Sequence, residues 1–323
     1  MLIVHNAELG KFVQKVLYNF SLVKYNANIK PTPGHRENRK EVLIMKKMLA
    51  MILAVLMTVA CFAACSPAAQ PGQTQPGDTQ TATEEKKPTI VVGYTIYEPM
   101  NFFDDQGTLV GYDTDLAKAV FEALGYEVFF QEIDWGSKYT DLDSGAIDCV
   151  WNGFTCNTAD DDGILRSEKV DFSYNYMENR QVIIALKDSG IATAADLNGK
   201  LAAVESGSAG ETYANTFEGV TTKGFLKQTD CLIEVMAGSV DFAVLDAQLA
   251  KSYEGKGDYS DIVIVDELSS DVEYYGIGFK KGSELTAKVN EQLEKLAADG
   301  TIAALAQQYG VSNTAITDFS DQK

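Results

Sequence analysis

The chain has 323 residues, with 27 Lys and Arg against 46 Asp and Glu, a formal charge of −19. Both histidines, His5 and His35, precede a hydrophobic run near residue 50. The remainder therefore has none, which excludes a Ser-His-Asp or Cys-His mechanism and a His-ligated zinc site. Residues 65–323 hold 18 basic and 43 acidic residues, a net of −25 that argues against nucleic acid as a partner, and the chain's 46% apolar content suits a core split into two domains.

Residues 45–65 read MKKMLAMILAVLMTVACFAAC. Lys46 and Lys47 form a positive start. Met48–Ala64 is then 17 residues whose only hydroxyl is Thr58. That is short of the ~20 apolar residues of a membrane-spanning helix and fits a signal peptide. Phe62-Ala63-Ala64-Cys65 resembles a bacterial lipobox, with Phe62 where leucine is usual. The expectation is cleavage before Cys65 and lipidation of its thiol, the alternative being an ordinary secretory signal cut nearby. Residues 1–44 read as a misassigned upstream extension, with translation expected from Met45. Lys40-Glu41-Val42 can be encoded with a ribosome-binding sequence two codons ahead of it. Ser66–Lys87, rich in Pro, Gly, Gln and Thr, reads as a disordered tether of roughly 25 Å average reach.

From Pro88 onward strand and helix signals alternate. Strands are expected at 89–92, 126–133, 147–151, 182–186, 201–204, 262–265 and 275–279. Asp113 is expected to N-cap a helix through DLAKAVFEAL that stops at Gly125, and Ser283 to N-cap a last helical pair broken at Gly300. This order predicts α/β layers with largely parallel sheets. Gly145-Ala146-Ile147-Asp148 is echoed by Gly238-Ser239-Val240-Asp241. Each precedes a strand that ends in a polar residue, Asn152 and Asp246. Ligands of open α/β sheets bind outside such strand ends, so the echo suggests a cleft between two domains. Ordinary helix-to-strand punctuation is the simpler alternative.

Arg166 and Arg180 are the only arginines after Cys65. Arginine suits bidentate carboxylate recognition, so Arg166 is a candidate anion anchor, with a surface ion pair as the alternative. Asp246 is the natural partner for an ammonium, or a helix N-cap. Ser208, Ala209 and Gly210 open a helix whose free N–H groups favour an anion. Tyr97, Phe102, Phe103 and Trp151 are aromatics near strand ends that could stack on a ligand or pack in the core. The Asp160-Asp161-Asp162-Gly163 run fails the spacing of a calcium loop, so no metal is expected. Cys149, Cys156 and Cys231 leave pairing of the first two open.

Six blocks, taken together, resemble the extracellular solute-binding protein family 3 of ABC transporters, which binds polar amino acids. They are YEPMNFFDDQGTLVGYDTDLAKAV, SGAIDCVWNGFT, RSEKVDFSYNY, DLNGKLAAVESGSAGE, AGSVDFAVLD and KVNEQLEKLAADGTIAALAQQYG, covering about residues 88–312. The resemblance implies a two-domain periplasmic-binding-protein-like type II fold. Its first domain would be 88–181 plus 277–323 and its second 182–276, with a two-strand hinge. It implies that Tyr97 covers the ligand and that Asn152, Gly153 and Thr155 hydrogen-bond it. Arg166 would hold the α-carboxylate, Glu205, Ala209 and Gly210 would contact it from the second domain, and Asp246 would take the α-ammonium. It implies a monomer partnered by a free amino acid and an ABC permease, held at the extracytoplasmic membrane face by the lipid on Cys65, with no cofactor and no enzymatic activity. Two departures stand out. Thr158 lies eight residues before Arg166 where about three is usual, so a loop insertion is expected there, and Ala209 replaces a common hydroxyl. The rival readings are a dehydratase using Glu98, Glu205 or Asp246 as acid and base, and a sensing lipoprotein without a transport role.

Overall fold

The computed structural model describes residues 87–322. The expected extension, signal, Cys65 and the tether up to residue 86 lie outside the described residues. Strand β1 (Thr89–Tyr94) is followed by a small hairpin, β2 (Phe102–Phe103) and β3 (Leu109–Val110). Helix α1 (Tyr112–Ala123) buries Leu116, Ala117, Val120 and Phe121, spaced along one face, and gives way at Gly125, whose φ of 86° few side chains tolerate. It leads into β4 (Glu127–Glu132), α2 (Lys138–Ser144), β5 (Cys149–Val150), α3 (Arg166–Lys169) and β6 (Asp171–Phe172). The chain then crosses through β7 (Met177–Asn179) into β8 (Gln181–Leu186). Next come β9 (Leu201–Glu205), α4 (Ala209–Ala214), β10 (Thr221–Phe225), α5 (Gln228–Met236), β11 (Phe242–Asp246), α6 (Ala247–Tyr253) and β12 (Ile262–Val265). It returns through β13 (Glu273–Tyr275) to β14 (Gly278–Phe279), α7 (Leu285–Ala298) and α8 (Thr301–Gln308).

Two five-stranded sheets result, in the orders β4-β1-β5-β14-β6 and β10-β9-β11-β8-β12. Each centres a lobe. Within each, the strands joined by helices run parallel, while β14 and β8 run antiparallel to their neighbours. Those two strands enter from the other lobe, so their direction is set by the crossing and not by a helical return. The crossings themselves pair, β13 antiparallel to β7. The expected strand at 275–279 is thus two strands, one in this ribbon and one in the first sheet. A third segment lies along the ribbon. Glu178 N–H donates to the Thr314 carbonyl (2.8 Å) and Ile316 N–H to that of Tyr176 (2.9 Å), and Phe319 stacks on Tyr174 at 5.8 Å.

The Gly-x-Ile/Val-Asp echo has one structural meaning in both lobes. Gly145 and Gly238 take φ of 74° and 66°, a left-handed helix stop. The carboxylate of Asp148 then accepts from Val91 N–H (2.7 Å), and that of Asp241 accepts from Leu201 N–H (2.8 Å). Each aspartate thereby fixes the register of a new strand beside its parallel neighbour, β1 in one sheet and β9 in the other. Asp113 departs from expectation. The helix begins two residues earlier than a cap at Asp113 would place it, with Gly111 as N-cap, and Asp113 turns inward, fully buried, to accept from Gly153 N–H (2.9 Å) and the Tyr176 hydroxyl (2.9 Å). Ser283 likewise lies one residue before the N-cap, Glu284.

The core of the first lobe joins Ile90 and Val92 of β1 to the buried face of α1, with Phe121 edge-on to Trp151 at 5.9 Å. In the second lobe Ile183, Val204, Phe242 and Val244 pack on one face of their sheet. Each large apolar side chain so buried contributes about 1.5–3 kcal/mol. Among the described residues no helix is long and apolar enough to cross a membrane. Phe121→Ala is expected to lower stability by about 3–5 kcal/mol, read as a fall in the urea midpoint with the slope unchanged.

Candidate functional site

Three buried residues at the carboxyl ends of strands face one cavity from two lobes. Asn152 follows β5, Glu205 ends β9 and Asp246 ends β11. The cavity is narrow, about 10 Å³, and lies between Trp135, Asn152, Gly153, Thr155 and Arg166 on the first lobe and Glu205, Ser208, Ala209, Gln228 and Asp246 on the second. Seven of the nine expected site residues are therefore gathered here. Tyr97 and Gly210 do not line the cavity. The Tyr97 ring stands behind Gly153, and its hydroxyl bonds that of Tyr275 (2.7 Å). Gly210 backs against Gln181 and the Val244 carbonyl, each 2.9 Å from where a Cβ would sit.

Arg166 is 1% exposed. Its Nε donates to Asp160 Oδ1 (2.8 Å), Nη1 to the Thr155 carbonyl (3.2 Å) and Nη2 to the Gly207 carbonyl of the other lobe (3.3 Å). The guanidinium also lies 5.5 Å from the Phe154 ring centroid. The aspartate loop therefore supports Arg166 and does not displace it. Burial works to raise the Asp160 carboxyl, but the Arg166 guanidinium, with bonds from Lys169 and Tyr139, prevails and holds it at about 2. Lys169 also pairs with Asp162 (2.8 Å), so two of the three aspartates are committed to cations of this chain.

The opposite wall is acidic. Asp246 caps α6 by position only, since its side chain makes no cap bond. Its carboxylate instead accepts from Asn179 (2.7 Å), Gln181 (2.6 Å), Gln228 and Tyr275. Glu273 shares the first two donors and also accepts from the Thr155 hydroxyl (3.1 Å). Burial pushes Asp246 up, and pushes Glu273 to about 7 with the help of its neighbour Asp246. Burial, then Asp246, raises Glu205 to about 8, and its Oε1 has no hydrogen-bond partner. Lys138 is buried among Trp135, Tyr139 and Phe154 and donates to the Gly207 carbonyl across the cleft (3.1 Å). Burial, then the Arg166 charge, lowers it to about 7.

Other residues named from the sequence have structural duties. The Asn152 side chain is spent on Thr95 (2.7 and 2.8 Å) and Asn101 (2.7 Å). Ser208 is the N-cap of α4, accepting from Glu211 N–H (3.1 Å). Cys149, Cys156 and Cys231 are free thiols, and Cys156 Sγ donates to Asn175 (3.0 Å). Sequence reasoning missed Trp135 and Gln228. Trp135, one of two tryptophans, follows a strand end as the named aromatics do, and that was its available signal. Gln228 has none, because its role comes from α5 docking against Asp246.

Residues 90–312 match the family described as bacterial extracellular solute-binding proteins, family 3, and the chain belongs to that family. It is similar to the arginine-binding extracellular protein ArtP of Bacillus subtilis, at 28% identity over 82% of this chain and 98% of that one. Similarity to the L-cystine-binding protein TcyA of the same organism is 30%, over 82% and 97%. Among solved structures, an ancestral arginine-binding protein bound to arginine superposes with a TM-score of 0.62 at 34% identity, covering 69% of this chain and 98% of that one. The fold is accordingly the two-domain periplasmic-binding-protein-like type II architecture, and the chain is an extracytoplasmic solute-binding protein.

The buried acids set a pH dependence. Asp113 is held near 7 by burial, against the bonds from Tyr176 and Gly153, and Glu273 is near 7 and Glu205 near 8. Each keeps its proton in the folded state at a pH where the unfolded chain has released it. Their contribution is complete below the unfolded carboxylate range and is lost as pH rises toward the folded values. Between pH 5 and pH 7 the melting temperature of the ligand-free protein is expected to fall by several degrees. Asp113→Asn should flatten that slope, as read by calorimetry across the interval.

Proposed function

We propose that this chain is the substrate-binding component of an ABC importer, and that it grips a free polar amino acid by its two charged ends. The carrying observation is the placement of Arg166 and Asp246 on facing walls of one buried cavity, each from a different lobe. A zwitterion offers an anion and a cation a short distance apart. Arg166 takes the α-carboxylate, together with first-turn amides of α4, which have no acceptor inside the helix. Asp246 takes the α-ammonium, held in place by its four neutral donors. Both bonds strengthen when the walls exclude water. Asn152, Gly153, Thr155 and Ala209 shape the rest of the cavity, while Tyr97 and Gly210 support it from behind. Relatives named for arginine and for cystine support a polar amino acid as the ligand.

Because the two anchors lie on different lobes, the ligand favours the arrangement in which the lobes meet. That arrangement has its own contacts. Thr212 Oγ1 donates to Asp161 (3.1 Å), Lys227 pairs with Glu132, and Lys138 and Arg166 share the Gly207 carbonyl. The domain division proposed at 181/182 and 276/277 falls beside the β7–β13 ribbon, which would act as the hinge. A permease would read the closed shape as occupancy. Lipid on Cys65 and the tether would hold a monomeric body at the outer membrane face. Binding is favoured over dehydration by relatives named as arginine- and cystine-binding proteins. Isothermal titration of the protein against the common amino acids and cystine tests this reading. Arg166→Ala should weaken every ligand by about 100-fold or more. Retention of tight binding by that variant would show that the anion anchor lies elsewhere.

A further inference from the structure

We infer that Glu205 selects the ligand's side chain, and that it selects one ending in a positive charge, an amine or a guanidinium. This rests on the amino-acid reading above and adds the class of side chain.

Glu205 is 3% exposed and lines the same cavity as Arg166 and Asp246. Its Oε1 is buried without a hydrogen-bond partner. A buried carboxylate oxygen in that state is costly, and a donor arriving from the cavity removes the cost. The contrast with Asp246 is direct, since four side chains supply donors to that carboxylate. The cavity thus holds one carboxyl group already cradled and one with an oxygen still unpartnered. A single α-ammonium needs only one of them.

The cations of the chain do not serve Glu205. Arg166 directs three of its five N–H groups to Asp160 and to the carbonyls of Thr155 and Gly207, and none to Glu205. Lys138 donates to the carbonyls of Trp135 and Gly207. The charged and titratable groups that act on Glu205 are Asp246 and Asp134, which disfavour a further negative charge, and Lys138, which favours it. The nearby Cys231 thiol is pushed far up by burial and stays neutral. Gln228 holds Glu205 on one side. Trp135 lines the same cavity and adds apolar surface beside Glu205.

Burial keeps the Glu205 carboxyl up at about 8, so at neutral pH the acid is mostly protonated before a ligand enters. A cationic side chain favours the carboxylate, and the displaced proton passes to the buffer. Affinity for a cationic ligand therefore rises with pH up to about 8 and levels off beyond it. Asp246 is raised as well, so proton release that accompanies the α-ammonium is common to all amino acids. Only the excess for a cationic side chain belongs to Glu205.

Arginine and citrulline differ by that charge at nearly constant shape. Titration calorimetry of both with the protein, in two buffers of different ionisation heat, should show about a tenfold or greater preference for arginine at pH 8. That preference should shrink at pH 6, and near pH 7 arginine should release more protons than citrulline. Glu205→Gln should bring the arginine-to-citrulline ratio to about one or below at both pH values while citrulline still binds, which also confirms that the variant is folded. Glu205→Asp should keep part of the preference. Equal proton release for the two ligands, or an unchanged ratio in Glu205→Gln, would overturn the inference. So would a wild-type preference for citrulline or glutamine over both arginine and lysine, and in that case the amino-acid reading would stand. Failure of the wild type to bind any amino acid would instead bring down the reading beneath it.

Discussion

Opposite charges buried on facing walls of one cavity are the constraint that organises this molecule. A buried charge is costly unless it is paired or richly hydrogen-bonded, and the two walls solve this differently. Arg166 is held by an ion pair with Asp160 and by two carbonyls. Asp246 is held by neutral amides and a hydroxyl, which stabilise a carboxylate without cancelling it. The difference leaves Asp246 without an ion-pair partner among the described residues. It also explains the amide-rich cluster of Asn179, Gln181 and Gln228 in a protein interior. The two anchors are joined as well as opposed. Arg166 donates to the Thr155 carbonyl, the Thr155 hydroxyl donates to Glu273, and Asn179 and Gln181 bridge Glu273 to Asp246. Asn179 and Glu273 lie on the crossing ribbon and Gln181 opens the next strand. The connection therefore runs through the place where the lobes join.

The lobes repeat one plan. In each, a left-handed glycine stops a helix, an aspartate pins the following strand to the sheet, and the strand carries a polar residue to the cleft. The repeat lies in the hydrogen bonds more than in the letters, which agree only at the glycine and the aspartate. The products differ in use. Asn152 turns back to stiffen the loops around Thr95 and Asn101, while Asp246 lines the cavity with its carboxyl group.

Much of this was legible in the sequence because it depends on local rules. Strand positions follow β-branched runs between glycines, and Arg166 stood out because arginine is so scarce after Cys65. What was not legible depends on three-dimensional surroundings. Asp113 looked like a helix cap because acidic residues at helix starts usually are. Its burial under Tyr176 and Gly153 comes from the docking of another loop. Trp135 and Gln228 gain their roles from which cavity they border. That Glu205 is short of a partner is a property of the packed interior, which no spacing rule encodes.

The segment from Thr314 to Phe319 runs beside β7 and makes the paired crossing three layers wide along part of its length. Gln322 then clasps Asn175 through both its backbone N–H (2.6 Å) and its carbonyl (3.0 Å). Residues 314–322 thus serve as a splint on the pivot, next to the bend. A label attached to that segment would load the joint itself, so an optical reporter placed there would sense any swing of the lobes and perturb it at the same time.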